Sequence, residues 1–164
     1  MNHRRIGTLI AASLLWLTAP TQAAKVGETA TGSTYHLLNG QVLSGQELRG
    51  MVVVLNFWGQ DCRACDEQLK ALDFYYRQRH QLGLVVLVAS SDRIYDADLR
   101  AALKGYRIFG VRSVSGELQP LRAIPTTYII DRTGKIRYAK AGAIGLDKLN
   151  ELLVPIIREP QPPM

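Results

Sequence analysis

The stretch "VVVLNFWGQDCRACDEQLKAL", residues 52–72, carries the only two cysteines of a 164-residue chain. It follows Met51 as a continuous run of β-branched, apolar and aromatic residues, the pattern of a strand buried on both faces and therefore internal to a sheet. From Cys62 the period changes. Cys65, Leu69, Leu72 and Tyr76 recur at spacings of four, three and four, which is one face of a helix that opens at Cys62. A Cys-x-x-Cys pair therefore stands where a strand turns into a helix.

That position has chemical consequences. The helix start presents unpaired N–H groups and a partial positive charge, which favour a thiolate on the first cysteine. A thiolate is the species that attacks a disulfide, so Cys62 is the candidate attacking sulfur. Cys65 falls one turn in, on the apolar stripe, where burial keeps it protonated until a mixed disulfide forms beside it. It is the candidate resolving thiol. A purely structural disulfide is a poor reading of this spacing, because a four-residue loop is already nearly closed in the unfolded chain, whereas loops of about 15 residues gain about 3 kcal/mol from closure. A zinc half-site is the other reading. It needs two more ligands, and His36 and His80 stand 44 positions apart with no second close pair; no metal is expected. "GETATGST" imitates a phosphate loop but lacks the lysine.

Working outward, "STYHLLNGQVLS" reads as two short strands around an Asn39-Gly40 turn. Ser44 with Glu47 has the spacing of a capping box for a short helical turn. "LGLVVLVASSD" is a second buried strand. "DADLRAALKG" is a short helix with Asp96 as its N-cap and Gly105 just past its end. "PTTYIID", "RTG" and "KIRYAKAG" read as a strand, a turn and an antiparallel partner. A final helix, "GLDKLNELLV", stops before Pro155, and "EPQPPM" reads as a frayed extended tail. The order β–α–β–α then β–β–α predicts an α/β domain with a mixed sheet and helices on both faces.

The first residues have the three zones of a secretory signal: basic Arg4 and Arg5, an apolar stretch over residues 6–19, and small residues at Thr21 and Ala23. Cleavage is expected after Ala23, leaving a periplasmic protein. The alternative is an uncleaved membrane anchor, although the apolar stretch falls short of the roughly 20 residues that span a bilayer. The remaining 141 residues are one domain's worth. Arg4 and Arg5 account for two of the 20 Lys plus Arg that oppose 14 Asp plus Glu, so the net charge falls from +6 to +4 on their removal. The surplus is scattered, without a basic run, which excludes a nucleic-acid-binding surface.

Together these residues resemble the exported thioredoxin-like proteins of the TlpA, ResA and DsbE branch. The likeness rests on "LNGQVLSGQELRGMVVVLNFW", the Cys-x-x-Cys, "VVLVASSD", "AIPTTYIIDRTGKIRYAKAG" and the last helix, in that order. It implies a thioredoxin-like fold over residues 24–154, preceded by a leader over 1–23, extended by an N-terminal hairpin and followed by a Pro-rich tail over 155–164. It implies an enzyme, a thiol–disulfide oxidoreductase that reduces protein disulfides. Its only cofactor would be the redox-active disulfide Cys62–Cys65. Its partners would be protein thiols and disulfides and a membrane electron-transfer protein, in some relatives for cytochrome c maturation. An oxidant or isomerase, a copper(I)-binding chaperone, and a binding module that no longer turns over are the rival readings. In this family the matching proline is cis and faces the cysteines, which casts Trp58, Ile124, Pro125 and Thr126 as substrate-binding. The motif departs from the family at Asp61, where an aromatic residue is usual, and at Arg63 and Ala64, where a proline is common. Asp61 opposes and Arg63 supports a Cys62 thiolate. Relatives also place a buried acid near the second cysteine, at positions that here hold Asn56 and Gln68, neither of which titrates. Glu67 faces away from the stripe carrying Cys65. Slow resolution of mixed disulfides is the expected result.

Overall fold

The apolar run becomes β3 (Val52–Trp58), every residue of it buried. This is a computed structural model that describes residues 23–91 and 96–163; the leader reading for the first 22 residues lies outside them. β3 runs parallel to β4 (Leu84–Ser90) and antiparallel to β6 (Thr126–Ile130), so hydrogen bonds flank it on both sides. Beyond β4 lies β5 (Phe109–Ser115), parallel to it. β1 (Thr34–Leu37) pairs antiparallel with β5, and β2 (Val42–Ser44) with β1. β7 (Ile136–Ala141) pairs antiparallel with β6. The result is a seven-stranded mixed sheet in the order β2-β1-β5-β4-β3-β6-β7.

The helices are α1 (Arg63–Arg79), α2 (Asp96–Ala102) and α3 (Leu146–Arg158). Contrary to the sequence expectation, they do not divide between the faces. Val52, Val54 and Trp58 share one core cluster with Cys65, Leu69 and Leu72 of α1, Leu99 of α2, and Leu149 and Leu153 of α3. The physical reason lies in the topology. β3, β4 and β5 advance in one direction, and right-handed crossovers between parallel neighbours then put both connecting helices on the same side. The alternate residues Val53, Leu55 and Phe57 face a second core, covered by Ala24 and Ala30 of the N-terminal segment, Tyr35 of the hairpin and Leu118 of the loop after β5. Burial pushes the Tyr35 hydroxyl up to about 12.

Three local readings change, at β5, at Ser44 and in the last helix. β5 is a strand the sequence pattern did not reveal. Ser44 and Glu47 do form the reciprocal bonds, with Glu47 N–H donating to Ser44 Oγ at 3.2 Å and Ser44 N–H to Glu47 Oε2 at 2.7 Å, but they close a turn rather than a helix. The Asp96 carboxylate accepts from Arg112 Nε at 2.6 Å and so ties α2 to β5. The last helix continues through Pro155 to Arg158 instead of stopping before the proline. Its end is held from outside. The buried Arg132 donates to the carbonyls of Gly50 at 2.6 Å, Leu82 at 2.9 Å and Ile157 at 3.0 Å, and Arg137 donates to Glu159 at 2.8 Å.

Candidate active site

Cys62 is the N-cap of α1. Its backbone is extended (φ −112°, ψ 92°), and its sulfur accepts from Cys65 N–H at 3.2 Å in the first turn of the helix. Its carbonyl accepts from Cys65 N–H at 2.9 Å and Asp66 N–H at 3.1 Å. Cys62 and Cys65 are joined as a disulfide with Cα atoms 5.2 Å apart. Their environments differ as the sequence suggested: Cys62 is half-buried, and Cys65 is completely buried within the helix-side core. Asp61 turns the chain into the helix with a positive φ of 55° and is exposed. Arg63 and Glu67 form a solvent-exposed pair at 3.0 Å, one turn apart on the outer face of α1.

Trp58 ends β3 beneath this junction. Its indole Nε1–H donates to Asp66 Oδ1 at 3.0 Å, and only 4% of the residue is exposed. Asp66 follows Cys65 directly, so the strand end and the helix start are locked together beside the sulfurs. Tyr106 is close by; burial raises its hydroxyl, and the carboxylates of Asp73 and Asp66 add to that.

A buried polar network lies one helical turn below Cys65. Gln68 Nε2 donates to Thr127 Oγ1 at 2.7 Å, Asn56 Nδ2 donates to the same oxygen at 3.1 Å, and Ile144 N–H donates to Gln68 Oε1 at 3.3 Å. Asn56 Nδ2 also reaches the Thr126 carbonyl at 3.3 Å, whereas Asn56 Oδ1 is buried with no partner among the described residues. An orphaned acceptor of this kind is costly in a protein interior. Asn56 and Gln68, two separate departures in the sequence, thus meet at one threonine. Thr127 was not singled out from sequence. Its signal was available in the strand parity, since Thr127 and Ile129 share the face that carries Asn56.

The register Phe57↔Thr126 brings the loop before β6 to the end of the sheet where Trp58 and Cys62 stand. The Ile124-Pro125 bond in that loop is cis. Ile124 and Cys62 both pack against the helix-side core. Thr126 is fully buried. Its hydroxyl donates to the Ala123 carbonyl at 2.6 Å and accepts from Leu121 N–H at 3.1 Å, so it holds the loop's shape and its side chain does not face solvent. No group of three or more His, Cys, Asp or Glu side chains among the described residues could hold a metal ion.

Residues 26–139 match the AhpC/TSA family. The thiol-disulfide oxidoreductase ResA of Bacillus cereus is 26% identical over 72% of this chain and 70% of its own length. Among solved structures, a thioredoxin-family thiol:disulfide interchange protein from Chlorobium tepidum superposes with a TM-score of 0.67 at 16% identity, covering 82% of this chain and 99% of its own. A secreted thiol-disulfide isomerase from Corynebacterium glutamicum gives 0.65 at 17% identity, over 77% and 83%. The fold is thioredoxin-like.

Proposed function

The chain belongs to the AhpC/TSA family, and from that membership and its Cys-x-x-Cys pair we propose that it is an exported thiol–disulfide oxidoreductase that reduces disulfides in other proteins. The observation that carries the reading is the inequality of the two sulfurs. Cys62 caps a helix and reaches the surface, and Cys65 is sealed in the core one turn further on.

In the reduced form the Cys62 thiolate attacks one sulfur of a substrate disulfide. That S–S bond breaks, its other sulfur leaves as a thiolate and takes a proton, and a mixed disulfide remains on Cys62. Cys65 then loses its proton and attacks Cys62 Sγ. The second substrate sulfur departs, the Cys62–Cys65 disulfide forms, and two electrons have passed to the substrate. A dithiol donor, which we assign to a membrane partner, returns the pair to its reduced state. Trp58 and the Ile124-Pro125 loop flank the attacking sulfur and shape the space a substrate must enter.

Export is supported by the leader pattern alone. Among the described residues no helix is long and apolar enough to cross a membrane. Cleavage after Ala23 would give a protein whose mass starts at Ala24.

The test is insulin reduction driven by dithiothreitol. Wild type is expected to turn over, Cys62→Ser to be inactive, and Cys65→Ser to accumulate a mixed disulfide visible on a non-reducing gel. Turnover by Cys62→Ser would end the proposal. Equilibration with glutathione gives direction: a potential near about −270 mV supports the reductant, and one near about −120 mV supports an oxidant.

A further inference from the structure

β7 is the last strand of the sheet, and its outer edge is only partly covered. The N-terminal segment takes the first portion: Gly27 N–H donates to the Ile136 carbonyl at 2.9 Å, Ile136 N–H to the Glu28 carbonyl at 2.8 Å, and Thr29 bridges Lys135. Upstream of Gly27 the segment swings away to the loop after β5, where Ala24 N–H donates to the Glu117 carbonyl at 3.0 Å. Between these diverging walls lies an open groove of about 790 Å³, lined by residues 23–26, 120–122 and 139–141.

Among the described residues, the outward polar groups of β7 in that groove have no backbone partner. Gly142 N–H donates to the Pro125 carbonyl at 2.8 Å, and Lys140 stands opposite Thr127. Hydrogen bonding alternates along an antiparallel ladder, so the polar groups of Lys140 and Gly142 turn toward β6, and those of Ala139 and Ala141 turn outward. No described segment pairs with them. The side chains there are small and leave room for close approach. Leu121 and Ala139 supply an apolar floor over the second core. The rim carries Lys25, Arg122 and Lys140, no carboxylate is among the lining residues, and none of the three cations forms an ion pair among the described residues.

The groove also points at the chemistry. Residues 120–122 lead directly into Ile124-Pro125, and Ala141 pairs with Thr126 at the sheet end shared with Trp58. We propose that this groove docks an extended, acidic segment of the protein whose disulfide Cys62 attacks, taken up as an added strand on the free edge of β7. This rests on the oxidoreductase reading and names its substrate class. Main-chain bonds to Ala139 and Ala141 provide the grip of strand addition, and the three cations select the sign of the guest's charge.

The test uses the full chain and two peptides with the same cystine, one flanked by alternating Glu and Val, the other by alternating Lys and Val. Wild type is expected to reduce the Glu-flanked peptide with a kcat/KM roughly tenfold above the Lys-flanked one. In Arg122→Glu/Lys140→Glu the order is expected to reverse. That ratio is read within one preparation, so it does not depend on how much of the variant is active. On wild type, N-methylation of alternate amides in the Glu-flanked peptide is expected to remove most of the advantage while leaving its charge intact. Equal rates for the two peptides, or a preference that survives either the charge reversal or the N-methylation, would overturn the proposal. Wild type that reduces neither peptide nor glutathione disulfide would overturn the oxidoreductase reading itself, a result distinct from equal rates.

Discussion

Replacing Asn56 by aspartate places a titratable oxygen in the network one turn below the resolving thiol. In the wild type that network is built from two amides and a hydroxyl, none of which can accept a proton from Cys65 near neutral pH. The carboxylates flanking the cysteines in sequence are engaged or exposed: Asp66 accepts from the Trp58 indole, Glu67 from Arg63, and Asp61 faces solvent. Burial disfavours a thiolate, so resolution in the wild type is expected to track hydroxide, rising about tenfold per pH unit in the neutral range. A positioned base contributes about 10² to 10⁴ in rate. The introduced carboxyl would be completely buried, like the Asn56 side chain it replaces, and burial raises a carboxyl's pKa. The lower end, about a hundredfold, is therefore expected, together with an added ionisation in the pH–rate profile. The cost is the Asn56 Nδ2 bonds to Thr127 Oγ1 and the Thr126 carbonyl, about 1–3 kcal/mol of stability. Decay of the mixed disulfide after a single turnover, followed by stopped flow between pH 5 and pH 9 (roughly the span where thiol chemistry titrates), reads both effects. Gln68→Glu tests the same idea from the helix side. If Asn56→Asp changes neither rate nor profile while Glu67→Gln slows the wild type, the base is Glu67 and the reasoning here is refuted.

Trp58 is the only tryptophan among the described residues, so its emission is expected to change when wild type is reduced and to stay constant in Cys62→Ala. Asp66→Asn, which weakens the 3.0 Å indole bond, is expected to shift that emission while leaving the pH–rate profile of resolution unaltered; an altered profile would make Asp66 part of the proton path. Asp131 is 4% exposed, and although burial pushes its carboxyl up, hydrogen bonds from Thr133, Arg137 and the Lys135 N–H hold it below the usual carboxylate range. Its contribution is therefore complete above the ordinary aspartate pKa and fades as pH falls through the lowered one. Asp131→Asn is expected to cost about 2 kcal/mol at neutral pH, with the gap to wild type closing in acid when both are unfolded by urea across pH; a gap that stays constant would mean the carboxylate's charge is irrelevant.

The elements with strong periodicity were legible in the sequence. The unbroken apolar run gave β3, the change of period at Cys62 gave α1, and Asn39-Gly40 gave the hairpin. β5 was not legible, because only Val111 of its seven residues is buried and Arg112, Ser113 and Ser115 face solvent. A strand defined by its neighbours' hydrogen bonds rather than by its own burial leaves little pattern. The continuation of α3 through Pro155 depends on Arg132 and Arg137, which hold its end from other elements. The site divides the same way. Cys62 and Cys65 announce themselves by spacing, and Asn56 and Gln68 by what they replace. Thr127, which joins those two across 71 and 59 positions, and Asp66, whose partner is an indole on another element, exist as site residues only once strand and helix are packed.

The sheet order carries a consequence for biosynthesis. β1 waits for β5, with Thr34 pairing to Ser115, and β3 waits for β6, with Phe57 pairing to Thr126. Both cysteines leave the ribosome long before the strand that supplies Thr127 or the loop that carries Pro125. Until then they are ordinary thiols on a chain with an incomplete sheet. The difference between a half-buried sulfur at the helix start and a sealed one a turn further on is thus acquired late, as a property of the finished polypeptide, and a nascent chain has no asymmetric redox pair with which to act on its neighbours.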